Sequence, residues 1–212
     1  MNRHTIALLL IASCALSARA QGLKGLEEFM RTAKSGRAGF TQTVTSPPRE
    51  GQAARTKTSS GSFAFQRPLR FRFDYQKPFV QTIVADGQML WLYDQDLNQV
   101  TARSQAEALG NTPAALIAMA ADLKALDKDF QLQDQPTSEG LDWVLATPRS
   151  RDSQLQQVRL GFNGAELAAL DILDGFGQRS VLRFAKFELN PNLPATQFQL
   201  KPPAGADVVR SP

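Results

Sequence analysis

Between Leu69 and Tyr75 the chain alternates strictly: Leu69, Phe71, Phe73 and Tyr75 on one parity, Arg70, Arg72 and Asp74 on the other. A period of two with one aromatic and one charged face is the pattern of an antiparallel strand that is dry on one side and wet on the other. That single feature constrains the fold, because the same period recurs along most of the chain. Phe40, Gln42 and Val44 lie in an earlier strand that ends at Ser46-Pro47-Pro48. Arg49 to Ser60 has no large apolar residue and reads as a polar hairpin loop, followed by a strand from Gly61 to Gln66. Phe79–Ala85 and Met89–Tyr93 flank Asp86-Gly87, a strong short-turn signal. Further strands are expected near Gln99–Ala102, Phe130–Gln133, Leu141–Thr147, Leu155–Phe162, Glu166–Asp174, Gln178–Glu188 and Thr196–Leu200.

Only two segments show helical spacing. Leu23, Leu26, Phe29, Met30 and Ala33 form one apolar stripe, and Ala114–Leu126, opened by Thr112 and Pro113, forms the other. Sheets of ten or more strands curl or close. Two short helices cannot cover so large a sheet laid flat, but they can plug a strongly curved one. The expected fold is therefore mainly β: an unclosed antiparallel half-barrel of about ten or eleven strands, with helices covering its concave face. That face would hold many of the 13 Phe residues.

The N-terminus narrows the chemistry. Met1-Asn2-Arg3-His4 is a basic start, Thr5–Ser17 is an apolar run too short to span a bilayer, and Ala18-Arg19-Ala20 supplies a small-x-small cleavage pattern. Residues 1–20 read as a signal peptide and 21–212 as a single domain, with no linker or internal repeat. An alternative is a lipobox at Ile11-Ala12-Ser13-Cys14, in which Cys14 is lipidated and anchors the protein. Cleavage after Ala20 removes Cys14 and His4, the only cysteine and the only histidine of the chain. Basic residues then fall from 24 to 22 against 20 acids, a charge of +2, which is weak attraction for a nucleic acid. Without thiol or imidazole, Cys–His nucleophiles, Ser–His triads, disulfides and His- or Cys-ligated metals are excluded. No cofactor is expected, and no catalytic residue is assigned.

An ordered series of short motifs then identifies relatives. Arg67-Pro68, Phe71 and Phe73, Pro78, Val84-Ala85-Asp86-Gly87, Leu90-Trp91, Tyr93 and Gly110-Asn111-Thr112-Pro113 with Leu116-Ile117-Ala118 together resemble the outer-membrane lipoprotein carrier family, LolA. Phe40-Thr41-Gln42, Gln178-Arg179-Ser180 and the closing Leu200-Lys201-Pro202-Pro203-Ala204-Gly205 agree with it. The resemblance implies a periplasmic chaperone that takes acylated lipoproteins from an inner-membrane lipoprotein-releasing ABC transporter complex and delivers them to an outer-membrane acceptor. It implies a monomer and no enzymatic activity. It also implies that Arg67 latches the helical lid through backbone carbonyls, a role that suits its fork of donors and permanent charge.

On this reading the acyl-chain cavity is lined by Phe29, Met30, Phe71, Phe73, Met89, Trp91, Leu116, Ile117, Met119 and Leu170, of which Leu116, Ile117 and Met119 belong to the lid. The same aromatics also serve as ordinary core, since cavity wall and core are one surface in a half-barrel. Arg55, Lys57, Arg70 and Arg72 are read either as a basic face for headgroups or as a solvated sheet face. Ala114 and Ala115 stand where the family often carries bulkier residues. That departure keeps open a paralogous carrier of another lipid, and use of Cys14 would instead make an outer-membrane acceptor of the same fold.

Overall fold

In the computed structural model, residues 21–48, 51–106, 123–151 and 153–210 are described. Helix α1 (Gly22–Thr32) comes first. Eleven strands and a second helix follow: β1 (Ser35–Ser46), β2 (Arg55–Gln66), β3 (Arg70–Lys77), β4 (Gln81–Asp86), β5 (Met89–Asp94), β6 (Gln99–Ser104), α2 (Leu123–Asp129), β7 (Phe130–Ser138), β8 (Leu141–Pro148), β9 (Leu155–Asn163), β10 (Glu166–Asp174) and β11 (Arg179–Leu189). A 3-10 turn (Ala195–Phe198) and β12 (Asp207–Arg210) end the chain.

All strands join one 12-stranded open sheet in the order β12-β6-β5-β4-β3-β2-β1-β11-β10-β9-β8-β7. Every pairing is antiparallel except β12 on β6, which is parallel. The strand count thus exceeds expectation by β12, whose Val208-Val209 is too short to give a periodic signal. Two local expectations also give way. Arg55–Ser60 is strand, not loop, because its threonines and serines pair residue by residue with Gln42–Ser46 and Thr41 at a sheet end that needs no apolar side chain. Thr196–Leu200 is not a strand: Ala195–Phe198 makes a single 3-10 turn after Pro194, and Phe198 is buried with Leu193 against Ala64 on the outer face of the sheet.

The register assigns each residue a face. Phe63 pairs with Phe73, and Phe65 with Phe71; β3 continues the row through Phe73–Ile83 and Phe71–Ala85, and β4 through Ile83–Leu92 and Ala85–Leu90. Phe40, Leu182, Leu170, Leu160 and Val144 extend the same face across the other half of the sheet. This inner face and the apolar stripe of α1 make one buried cluster.

Helix α1 lies on the β7–β10 half. Its buried residues Gly22, Gly25, Leu26, Phe29 and Met30 recur at i, i+3, i+4, i+7 and i+8, one continuous stripe. Gly22 and Gly25 bring its backbone down onto the sheet: an added Cβ would stand 2.3 Å from the Trp143 carbonyl oxygen or 2.6 Å from that of Gly164. Phe29 contacts Phe65, Phe162 and Phe187 at centroid distances of 5.9, 6.0 and 6.1 Å.

Candidate functional site

The inner face is an aromatic floor. Phe63 lies 4.6 Å from Phe73 and 5.4 Å from Phe184, and Phe40 meets Phe73 edge-on at 5.4 Å and Tyr75 at 5.1 Å. Such edge and offset contacts are the favoured aromatic geometries. Phe71, Phe73 and Leu170 are buried in this floor, and Phe29 and Met30 of α1 are buried in the same cluster. Next to them on β4 and β5, Ile83, Leu90 and Leu92 are only half-buried, and the residues of α1 pack against the opposite half of the sheet.

Met89 and Trp91 belong elsewhere. Trp91 pairs with Val84 and Ala102, and Val84 pairs with Arg72, so Trp91 and its same-parity neighbour Met89 face the outside of the sheet. The Trp91 indole N–H donates to the Asp86 carboxylate at 2.8 Å. Assigning them to the inner face fails by one residue of register, because Met89-Leu90-Trp91-Leu92 is apolar on both parities and its sequence does not say which parity points inward. Leu90 and Leu92 take those places. Leu116, Ile117 and Met119 lie outside the described residues, as do Ala114, Ala115 and Cys14.

Arg67 sits at the end of the sheet where α1 terminates. Its Nη1 donates to the Met30 carbonyl at 2.9 Å and its Nη2 to the Met30 sulfur at 3.1 Å. The guanidinium stands 5.4 Å from the Phe29 ring centroid and 5.9 Å from that of Phe65. Its Nε is buried and has no hydrogen-bond partner among the described residues. Burial lowers its pKa to about 10, since desolvation penalises the charged form. The Met30 carbonyl is one of the last of α1, which an intrahelical N–H cannot reach. Arg67 therefore caps the negative end of the helix with a positive charge. Asn190 completes the cap: its Nδ2 donates to the Thr32 carbonyl at 3.0 Å, while its Oδ1 accepts from the Lys34 N–H at 2.7 Å.

Around this turn the backbone is fixed. Leu69 has φ +69°, a conformation that non-glycine residues rarely adopt. Its carbonyl accepts from Gln105 Nε2 at 2.7 Å, and Gln105 Oε1 accepts from the Gly87 N–H at 2.9 Å. The buried Gln105 thus ties the Arg67–Leu69 turn to the Asp86-Gly87 turn, a link that sequence spacing alone does not signal.

The outer face is mixed. Arg72 pairs with Asp74 at 2.7 Å, and the buried Asp171 takes Arg179 at 2.8 Å and Arg159 at 3.4 Å. Arg159 also lies 4.4 Å over the buried Trp143 ring. Arg70 donates to Gln66 and Arg55 to Gln52, and Arg70 shares the outer face of β3 with Arg72. Among the described residues no cluster of three or more His, Cys, Asp or Glu is arranged to hold a metal, and no helix is long and apolar enough to cross a membrane.

An open half-barrel with an aromatic inner face, a helix seated on one half of it and an arginine capping that helix defines a binding module for an apolar ligand. Comparison with known proteins makes the class specific. The family profile described as "Outer membrane lipoprotein carrier protein LolA" matches residues 31–201, and the chain belongs to this family. It is 63% identical over 208 residues to the outer-membrane lipoprotein carrier protein of Albidiferax ferrireducens, covering 96% of this chain and 98% of that one. It is 50% identical to that of Methylibium petroleiphilum, covering 99% of each chain. Among solved structures it is similar to a LolA superfamily protein of Nitrosomonas europaea, at 15% identity and a TM-score of 0.47 over 84% of this chain and 97% of that one.

Proposed function

We propose that the chain is a periplasmic carrier that shields the acyl chains of lipoproteins against its inner face, loading at an inner-membrane ABC transporter and unloading to an outer-membrane acceptor. The observation that carries this reading is the aromatic floor itself: Phe40, Phe63, Phe65, Phe71 and Phe73 form one buried surface that continues into half-buried Ile83, Leu90 and Leu92. Membership of the carrier family supports the cargo. Each methylene transferred from water onto such a surface contributes about 0.8 kcal/mol, so acyl chains of ordinary length are held strongly. The chain works by binding and carries out no catalysis. It is exported with cleavage after Ala20, leaving residues 21–212 as one carrier domain that acts as a monomer.

Arg67 is the latch in this scheme. It holds the C-terminal end of α1 by the Met30 carbonyl, and among the described residues its buried Nε has no acceptor. A latch of this kind opens at modest cost, as reversible delivery requires. The test is release from inner-membrane vesicles carrying a labelled lipoprotein, with ATP. A soluble one-to-one complex with the purified protein is the expected result. Absence of release by a folded protein and an active transporter overturns the reading.

A further inference from the structure

The aromatic floor does not run to both ends of the sheet. Along β3 the inner face reads Phe71, Phe73, Tyr75; along β4 Ala85, Ile83, Gln81; along β5 Leu90, Leu92, Asp94. On β1 and β2 the pair beyond Phe40–Gly61 is Gln42–Ser59. Two apolar layers thus end in a polar one, at the end of the sheet opposite Arg67. The change is abrupt and the polar groups are organised. The Tyr75 hydroxyl donates to Gln42 Oε1 at 2.9 Å, and Gln42 Nε2 donates to Ser180 Oγ at 2.7 Å. These bonds fix the amide so that its oxygen is used. One amide hydrogen of Gln42 and the hydroxyl hydrogen of Ser180 are unengaged among the described residues.

A cavity of about 510 Å³ opens against this layer, lined by Gln42, Ser59, Tyr75 and Gln81 on the floor side and by Phe79 and Leu97 on the turns above. Phe79 is 65% and Leu97 71% exposed, large apolar side chains without cover at the mouth. Among the described residues no lysine or arginine lines the cavity, whereas Asp94 and Asp96 do. Donors of neutral hydrogen bonds beside an apolar floor, with two acids and no cation among the described lining residues, suit an uncharged ligand rich in carbonyl acceptors better than a phosphate.

We propose that this polar layer is the subsite for the linkage region of the lipid anchor: Gln42 and Ser180, oriented by Tyr75, donate to the ester carbonyls of a diacylglyceryl group whose chains lie on the aromatic floor. The inference rests on the carrier reading and deepens it. A diacylglyceryl thioether on cysteine has ester carbonyls and no phosphate, and an ester carbonyl drawn out of water needs a donor to replace those it leaves. The same layer disfavours phospholipids, which bring an anionic phosphodiester toward Asp94 and Asp96.

The probes are two synthetic lipopeptides identical in chain length, one carrying S-(2,3-diacyl)glyceryl cysteine with ester linkages and one S-(2,3-dialkyl)glyceryl cysteine with ether linkages, with phosphatidylglycerol as competitor. Wild-type protein binds the ester form about three- to tenfold more tightly than the ether form, the range of one or two neutral hydrogen bonds. Gln42→Leu removes that preference by weakening only the ester form, and Ser180→Ala reduces it, with circular dichroism and thermal unfolding reporting that each variant is folded. Equal binding of ester and ether by wild type, or equal weakening of both by Gln42→Leu, overturns the subsite. Competition by phosphatidylglycerol as effective as that of the ester lipopeptide overturns the preference against phosphate. Failure of wild type to bind either lipopeptide overturns the carrier reading itself, a result distinct from binding both alike.

Discussion

The carboxylate of Asp134, on the edge strand β7, accepts the backbone N–H of Leu23 at 2.7 Å. Leu23 is in the first turn of α1, where N–H groups have no intrahelical partner, and Gln21 before it makes no side-chain cap. A strand therefore supplies the cap, and it supplies negative charge at the positive end of the helix dipole. With Arg67 on the Met30 carbonyl, α1 is held at both ends by side chains of matching sign. Asp134→Ala is expected to lower stability by about 0.5–2 kcal/mol, the usual loss on removing such a cap. In a chain of this size that is about 1–8 °C in thermal unfolding. Asp134→Asn, which keeps an acceptor oxygen, retains most of it. Equal loss in both variants would assign the effect to charge alone.

The close seat of α1 gives a sharper expectation. Gly25→Ala improves helix propensity by about 1 kcal/mol. It also places a methyl 2.6 Å from the carbonyl oxygen of Gly164 in the β9–β10 turn and 3.1 Å from the Cβ of Phe162 on β9. Overpacking costs about 1–3 kcal/mol, so the substitution is expected to destabilise on balance. Denaturant unfolding that shows Gly25→Ala more stable than wild type would mean that α1 stands off the sheet.

Arg67→Leu separates folding from delivery. The variant loses the bond to the Met30 carbonyl but also loses a buried cation whose Nε has no acceptor among the described residues, and a leucine there still packs between Phe29 and Phe65. Those changes oppose each other, and the melting temperature should move by no more than a few degrees. Delivery of loaded lipoprotein to acceptor membranes should fall while loading persists. Arg67→Lys restores a charge without the fork of donors and should rescue in part. Normal delivery by Arg67→Leu removes the latch role.

What was legible in the chain followed the strength of the local period. Leu69–Tyr75 alternates without exception, and β3 (Arg70–Lys77) follows that alternation, with Leu69 left in the preceding turn at φ +69°. The Leu23–Ala33 stripe likewise gives α1, apart from Gly22 and Gly25, whose value lies in how closely the sheet approaches and not in any local preference. The polar half of β2 and the 3-10 turn around Phe198 were not legible. In each, partners distant in sequence decide the conformation: Gln42–Ser46 for the first and Ala64 with Leu193 for the second. Asp134, Gln105 and Asn190 escape sequence reading for the same reason, since their bonds join residues 18 to 158 positions apart. The polar layer of Gln42, Tyr75 and Ser180 emerges only when three strands are brought together.

The register of β5 supplies the last test, because it reverses an assignment that composition alone favours. Trp91 is the larger apolar side chain, yet it lies with Val84 and Ala102 on the outer face, and Leu92 lies with Ile83 and Phe73 on the inner one. Trp91→Phe forfeits the bond to Asp86 and should cost about 0.5–1.5 kcal/mol of stability, with lipopeptide affinity unchanged. Leu92→Asp sets a carboxylate on the floor beside half-buried Ile83. Such a site is accessible enough for the apo protein to fold, but an acyl chain laid over it would bury the charge without a partner. Lipopeptide binding by Leu92→Asp should therefore fall at least tenfold at neutral pH. Recovery at a pH low enough to protonate the introduced carboxyl would identify desolvation as the cause. If instead Trp91→Phe weakened binding and Leu92→Asp did not, the ligand would lie on the outer face of the sheet.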